Sequence, residues 1–559
     1  MTNPGDTSAT FCATLADEWT RAGVIHAVVS PGSRSTPLAV ALAAHPGIEV
    51  HLFHDERSAG FAALGIGRES GFPAVLLCTS GTAAAHFTAA VHEANLSRIP
   101  MIVCTADRPP ELKDVSAPQT IDQTMLYGGA VRWFHDPGVP ADDARHTWRS
   151  LARRAVASST GTLPGPVHLN LPFREPLLGR AGDLPPATDA VPARAVLGVD
   201  HESAEQFISM VSGKRGVIVA GRGADNLVLK FASAVGWPVL ADSTSGLRQG
   251  HGDVVMAFDP ILRSTKFSES HMPEVVVRVG DLPASKVLAQ WVGRSGAPVI
   301  QVVDHEAPVD PDHSVALYVI APLEELAMQT ENLPERCGPG WVEDWVAAEA
   351  AAQQAISGAT RQGLSEIAVA RAVTEACAGV ANLVVSSSMP IRDVEWYGSA
   401  TEMSRVFANR GANGIDGVVS TAVGVALSSN GRTVVYLGDL ALVHDSNGLW
   451  GLMRRDVDLT VVVSNNDGGS IFSFLPQAAQ VDTDTFELLY GTPHGVDFAA
   501  LAAAHGVPHV LAGSAEEVRR LVGTPGTKIV EVRTDRSVNV AEHDRVNAAV
   551  VAAVEAATA

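Results

Sequence analysis

TVVYLGDL at residues 433–440 and LTVVVSNNDGG at 459–469 are two β-branched runs that each break into a polar turn, at Gly438-Asp439 and at Asn465 to Gly469. A short, nearly unbroken apolar run ending in glycine and acid reads as a strand covered on both faces, as in a parallel sheet. Its turn then lies at the carboxyl end of the strand, where open sheets bind ligands. Asp439 and Asn466 stand 27 positions apart, one strand–helix–strand excursion. A carboxylate from one turn, with an amide oxygen and a backbone carbonyl at Gly468 from the next, makes a hard-oxygen cage suited to Mg²⁺. Positions remain for phosphate oxygens, and glycine lets a diphosphate approach the backbone. Two unrelated Asx turns are the bland alternative.

The same rhythm extends outward. Runs at 26–30, 74–79 and 101–105 lead into Gly, Pro or Asp turns; others follow at 216–220, 238–241, 275–279 and 299–303, then at 383–386 and 529–533, with Ala-rich helical stretches between them. This predicts an α/β protein of three doubly wound parallel-sheet domains, at 1–180, 200–335 and 345–559. The Pro-rich, aperiodic stretch 181–199 reads as a linker. No fixed-period repeat occurs, which disfavours a solenoid.

Composition agrees with a large enzyme. The 559 residues are 46% hydrophobic and 18% charged, enough for several cores, and the 40 Lys and Arg against 61 Asp and Glu leave a net charge of −21. An acidic chain has no surplus to neutralise a phosphate backbone, so nucleic acid is excluded as a partner. Five scattered cysteines without a CxxC pair point to a reducing cytoplasm. The polar amino terminus and the lack of an 18-residue apolar run lead us to expect neither export nor membrane insertion.

A second chemical signal is HDERSAGFAALGIG at 54–67, a strand end followed by a helix with Glu56 near its start and Ala59, Gly60, Ala63 and Gly67 on a small-residue face. Such a face admits another helix or a flat ring, and a carboxyl beside it can share a proton with a ring nitrogen. Glu at a helix start otherwise merely offsets the helix dipole. Thr79-Ser80-Gly81 after the next strand is a natural helix cap.

Taken together, SPGSRSTPL (30–38), HDERSAGF (54–61), TSGTA (79–83), EANLSRIP (93–100), ADRPPEL (106–112), NRGANGIDG (409–417), GDLALVHDSNGL (438–449) and NNDGGSIFSFLP (465–476) resemble the thiamine-diphosphate-dependent enzymes across all three domains. The wording is similar to that of the menaquinone-pathway carboligase branch, in which Leu440 after Gly-Asp is usual. That resemblance implies decarboxylation of 2-oxoglutarate and addition of the succinyl carbanion to isochorismate, with thiamine diphosphate and Mg²⁺ or Mn²⁺ as cofactors. By motif position it implies Glu56 as the catalytic acid; Asp439, Asn466 and Gly468 on the metal; and Thr79, Ser80, Gly81, Ser388, Ile415, Leu440, Ile471 and Phe472 against the coenzyme. Ser33, Arg34, Arg108, Gln119, Lys286, Ser388, Arg392 and Arg410 would meet the substrates, whose carboxylates suit paired guanidinium hydrogen bonds. It further implies a homodimer or dimer of dimers with active sites at the subunit interface.

Two other readings stay open: another thiamine-diphosphate 2-keto acid carboligase or decarboxylase, and a non-catalytic cofactor-binding regulator. No adjacent His-His pair occurs, which favours carboligation over the decarboxylases that use one. Gly221 and Gly223 in VIVAGRGADN lack the third glycine of a dinucleotide fingerprint and read as a tight turn. His444 reads as structural, and Cys78 and Cys104 as small core residues.

Overall fold

The computed structural model describes residues 3–187, 198–199, 201–250, 252–322, 324–325, 327, 333–361, 363–400 and 404–559. The apolar runs form strands because helices cover both of their faces, and the result is three six-stranded parallel sheets. The first holds β1 (His26–Val29), β2 (Glu49–Leu52), β3 (Ala74–Cys78), β4 (Met101–Asp107), β5 (Trp133–His135) and β6 (Pro166–Pro172), ordered 2-1-3-4-6-5. Every residue of β3 and β4 is buried. Helix α1 (Glu56–Ser70) follows β2, and α2 (Thr88–Leu96) lies between β3 and β4.

The second sheet holds β7 (Gly216–Ala220), β8 (Val239–Ala241), β9 (Val254–Val255), β10 (Val275–Val279), β11 (Val299–Val303) and β12 (Val315–Ile320), and α3 (Lys286–Ser295) follows β10. Its order is 12-11-10-7-8-9, with the chain reversing direction across the sheet between β7 and β10. That crevice is filled from within. The Asp281 backbone lies where a Cβ on Gly221 would go, and Arg222 pairs with Asp281 at 2.6 Å. The glycines therefore serve a tight turn, as their spacing suggested.

Helices α4 (Glu366–Cys377) and α5 (Met389–Tyr397) flank β13 (Ala381–Val385) in the third region, followed by β14 (Val406–Phe407), α6 (Val418–Ser428) and β15 (Arg432–Gly438). Then come α7 (Asp439–His444), β16 (Leu459–Asn465), β17 (His509–Ala512) and β18 (Lys528–Arg533). The order 14-13-15-16-18-17 repeats that of the first sheet. In both, the chain reverses between the first and third strands, β1/β3 and β13/β15, and the loops above that point are the natural ligand seats.

The chain forms two compact units, Met1–Ala195 with Asn409–Asn430 and His444–Leu459, and Val196–Ala408 with Gly431–Val443 and Thr460–Ala559. The segments carrying α6 and residues 444–459, although they connect strands of the third sheet, thus belong with the first sheet. Most of the linker expected at 181–199 lies outside the described residues. Among the described residues no helix is long and apolar enough to cross a membrane. All five cysteines are free and buried.

Candidate active site

In the first unit, β1 and β3 deliver their turns side by side. The Arg34 N–H donates to Thr79 Oγ1 (3.3 Å), and a Cβ on Gly32 would run into the Thr79 side chain. Gly81 takes φ +83°, a conformation that favours glycine, and its N–H donates to Gln123 Oε1 (2.9 Å). Ser80 Oγ donates to the Gln119 carbonyl (3.0 Å), while Gln119 Nε2 donates back to the Ser80 carbonyl (3.1 Å). Ser33 is exposed on the same turn as Arg34. The Arg34 guanidinium is only 4% exposed and donates to the Phe173 carbonyl (2.9 Å), yet its Nε has no partner. Burial, with the nearby Arg108 cation adding to it, holds Arg34 below the usual guanidinium range. Arg108 Nη2 donates to the Pro118 carbonyl (3.1 Å), and its buried Nε also lacks a partner. Arg34 Nη2 also pairs with Glu175 (3.3 Å), and the free Nε donors of the buried Arg34 and the half-buried Arg108 suit a further carboxylate.

Glu56 is the first residue of α1. Asp55 caps that helix by accepting from the Arg57 N–H (2.8 Å), and Asn447 Nδ2 donates to the other Asp55 oxygen (2.8 Å). Glu56 is half-buried, and its carboxylate makes no hydrogen bond or ion pair among the described residues. Arg57 Nη2 donates to the His444 carbonyl (2.7 Å), and Nη1 lies 3.5 Å from the His444 ring Nδ1. The small-residue face does admit a helix, α2, since a Cβ on Gly60 would meet Ala90. A second side of α1, not singled out from the sequence, packs on α6: a Cβ on Gly424 would meet the Ala62 carbonyl, and one on Gly65 would meet the Thr421 carbonyl.

Arg410 and Ile415 ride on the loop before α6, both exposed. The loop hangs on Glu93 of α2, which is 1% exposed. Its carboxylate accepts the N–H groups of Gly411 (3.0 Å), Ala412 (2.6 Å) and Asn413 (2.9 Å), together with the Ser97 hydroxyl (2.6 Å) and Arg68 (3.2 Å). Three backbone donors on one buried carboxylate fix a loop firmly. Glu93 lies inside EANLSRIP, but nothing in that string signals that its partner is a loop more than 300 positions away.

In the second unit, β15 ends at Gly438, and the next residue, Asp439, is 1% exposed. Asp439 Oδ2 accepts the N–H groups of Asn466 and Gly468 (both 3.0 Å), and Oδ1 accepts that of Leu440 (2.7 Å). The two turns therefore close on each other. Asn466 Nδ2 donates to Glu366 Oε1 (2.7 Å), which leaves the buried Asn466 Oδ1 with no partner. Gly468 has φ +145°, and a Cβ there would run into the Gly491 carbonyl. His494 Nε2 stands 3.4 Å from Asp439 Oδ2. Burial pushes the Asp439 carboxyl up despite its backbone donors. A buried carboxylate beside an orphaned amide oxygen is the donor set that a hard divalent cation satisfies. Mg²⁺ or Mn²⁺ fits these residues.

Leu440, Ile471 and Phe472 are half-buried beside this turn, with the Phe472 and Tyr490 rings 5.4 Å apart. Ser388 takes φ +75°, rare for a residue with a side chain, and its carbonyl accepts from Arg392 Nη1 (2.6 Å). Strain of this kind clusters at functional sites. Lys286 is exposed at the start of α3. The loop before it is tied to α5, the helix carrying Arg392, by the Ala284 N–H donating to Glu395 Oε2 (3.0 Å). The sequence reading missed three residues here and in the first unit: Glu366, Glu93 and His494.

Three regions match the family profiles described as thiamine pyrophosphate enzyme, N-terminal TPP binding domain (residues 9–126), middle domain of thiamine pyrophosphate (197–385) and thiamine pyrophosphate enzyme, C-terminal TPP binding domain (394–532). Among curated relatives, the 2-succinyl-5-enolpyruvyl-6-hydroxy-3-cyclohexene-1-carboxylate synthase of Chloroflexus aurantiacus is 43% identical over 95% of this chain and 94% of its own length. The synthase of that name from Myxococcus xanthus is 41% identical over 99% of both chains. The chain belongs to this synthase family of thiamine-diphosphate enzymes. Its Geobacillus kaustophilus member is 40% identical over 96% of this chain and 97% of its own. A benzoylformate decarboxylase structure from Polynucleobacter necessarius shares the fold alone, at TM-score 0.73 and 15% identity, covering 94% of this chain and 99% of that one.

Proposed function

We propose that the chain carries out the reaction its synthase family is named for: thiamine-diphosphate-dependent decarboxylation of 2-oxoglutarate and transfer of the succinyl unit to isochorismate, in menaquinone biosynthesis. The observation that carries this reading is the orphaned Asn466 Oδ1 beside the buried Asp439 carboxylate at the carboxyl ends of β15 and β16. When bound, the coenzyme supplies a nucleophilic ring carbon and an electron sink for the departing carboxylate's electrons. Asp439, Asn466 and the Gly468 backbone would hold Mg²⁺ or Mn²⁺. Glu56, whose carboxylate is unengaged, would exchange a proton with the coenzyme's pyrimidine ring. Thr79, Ser80, Gly81, Ser388, Ile415, Leu440, Ile471 and Phe472 would shape the seat of the coenzyme. The half-buried Ile471 and Phe472 would also exclude water and favour loss of carboxylate charge. Ser33, Arg34, Arg108, Gln119, Lys286, Arg392 and Arg410 would orient the substrate carboxylates.

Purified protein given thiamine diphosphate, Mg²⁺, 2-oxoglutarate and isochorismate is expected to release CO₂ and form the succinylated cyclohexene, identified by mass. Glu56→Gln should still bind coenzyme but lose turnover by 10²-fold or more, the scale of a lost general acid–base. Unchanged turnover in that variant would remove Glu56 from the chemistry, and CO₂ release without the carbon–carbon product would favour a decarboxylase.

We further propose three domains at 1–180, 200–335 and 345–559, a cytoplasmic location, no nucleic-acid or membrane partner, and a homodimer or dimer of dimers. In that assembly Glu56 works with Asp439 of the partner subunit. Specific activity should then fall on dilution in step with dimer dissociation seen by sedimentation; a fully active monomer would refute the shared site.

A further inference from the structure

Away from the coenzyme loops, the edge of the first sheet gathers three metal-ligating side chains. Strands β1 and β2 pair in parallel with His26 opposite Glu49 and Val28 opposite His51. His26, Glu49 and His51 therefore leave the same face of the sheet. His26 Nδ1 lies 3.1 Å from His51 Nε2 and 3.8 Å from Glu49 Oε2, and the three ligand atoms fall within 4.8 Å of one another. His51 is buried, His26 half-buried and Glu49 exposed, so the group opens to solvent on the carboxylate side. Two imidazole nitrogens bound to a tetrahedral Zn²⁺ at ~2.0–2.1 Å stand about 3.3 Å apart, close to the spacing found.

We propose that His26, Glu49 and His51 form a binding site for a divalent transition-metal ion of the zinc class, separate from the hard-oxygen Mg²⁺ site, clasping edge strand β2 to β1. Two imidazoles and one carboxylate select Zn²⁺ over Mg²⁺, which prefers oxygen alone. The surrounding charges favour a cation: Glu49 and Glu69 act on His26, whereas Arg455, which acts on His51, is held by the Leu52 carbonyl (2.7 Å) and over the Phe53 ring (4.1 Å). The clasp has a functional position, because β2 ends at Leu52 and Glu56 opens α1 four residues later.

The test uses the full chain, stripped with chelator and then loaded with thiamine diphosphate and Mg²⁺ so that the oxygen site is filled. Zinc chloride in competition with a chromogenic chelator should titrate one site per chain. Binding should be at least tenfold weaker in Glu49→Ala and absent in His26→Ala/His51→Ala. Zinc-edge X-ray absorption should report two imidazoles, and zinc should raise the melting temperature of the unmutated protein only. Should the double variant fail to fold, the exposed Glu49 position carries the comparison. Equal zinc affinity in the unmutated and Glu49→Ala proteins, no zinc binding, or a zinc environment without imidazole would each overturn the proposal.

Discussion

The unpaired amide oxygen of Asn466 faces the right way because of Glu366. An asparagine amide can present either end, and the 2.7 Å bond from Nδ2 to Glu366 Oε1 fixes which one is left for a cation. Outer partners of this kind typically govern metal affinity by 10- to 100-fold. Glu366→Ala is expected to weaken Mg²⁺ binding by about that factor, measured by calorimetry in the presence of coenzyme, whereas Glu366→Gln, which keeps an acceptor oxygen, should retain most of it. Equal Mg²⁺ affinity in all three proteins would show that the amide needs no such anchor. Glu366 itself could not be read from the sequence. Asp439 and Asn466 stand out because each ends an apolar run, a local pattern; Glu366 is 100 positions from its partner and opens an ordinary helix, so only the fold reveals the pair. Glu93 escaped for the same reason.

The strands visible from sequence are the long central ones, such as β3, β4, β10 and β16, because a strand covered on both faces must be apolar throughout. The edge strands β5, β9 and β14 have two or three residues each, too few to show any period. Strand β2, whose end alone was marked in the sequence, runs over Glu49–Leu52, its register being set by pairing with β1. The helix pair α1·α6 was not legible: the small-residue face read on α1 meets α2 at Gly60, whereas α6, which lies between strands of another sheet, packs on Ala62 and Gly65. Backbone contact there leaves no space for a methyl group at Gly424. Gly424→Ala is expected to cost about 1–3 kcal/mol through overpacking, despite the gain in helix propensity. The readout is the urea midpoint. A stabilised variant would mean that the two helices can part without penalty.

At the scale of the whole molecule, buried ionisable groups are distributed unevenly between the two units. In the first, burial holds His51 and His168 uncharged, both down to about 3. The unfolded chain takes up protons near 6.5 that these folded rings refuse, so stability falls as pH drops below 6.5. At pH 5 each ring costs about 2 kcal/mol. Asp445, pushed up to about 6 by burial, acts in the opposite sense, because it keeps a proton that the unfolded chain has lost, and it returns about 1 kcal/mol. The histidines win, for a net loss of about 3 kcal/mol. In the second unit three buried groups favour acid: burial raises Asp259 and Glu349, and in His543 the Asp393 carboxylate outweighs the pull of burial and raises that ring. Raised acids and a raised base all bind protons more tightly when folded, so their stability is greatest at low pH and is lost as pH rises through the folded values. Hydrogen exchange followed by mass spectrometry at pH 7.5 and 5, expressed as protection factors, should therefore show β1 to β4 losing protection in acid while β10, β11 and β13 hold or gain it. Parallel loss in both sets of strands would mean that the two units unfold as one and that the histidines of the first sheet do not set the acid limit.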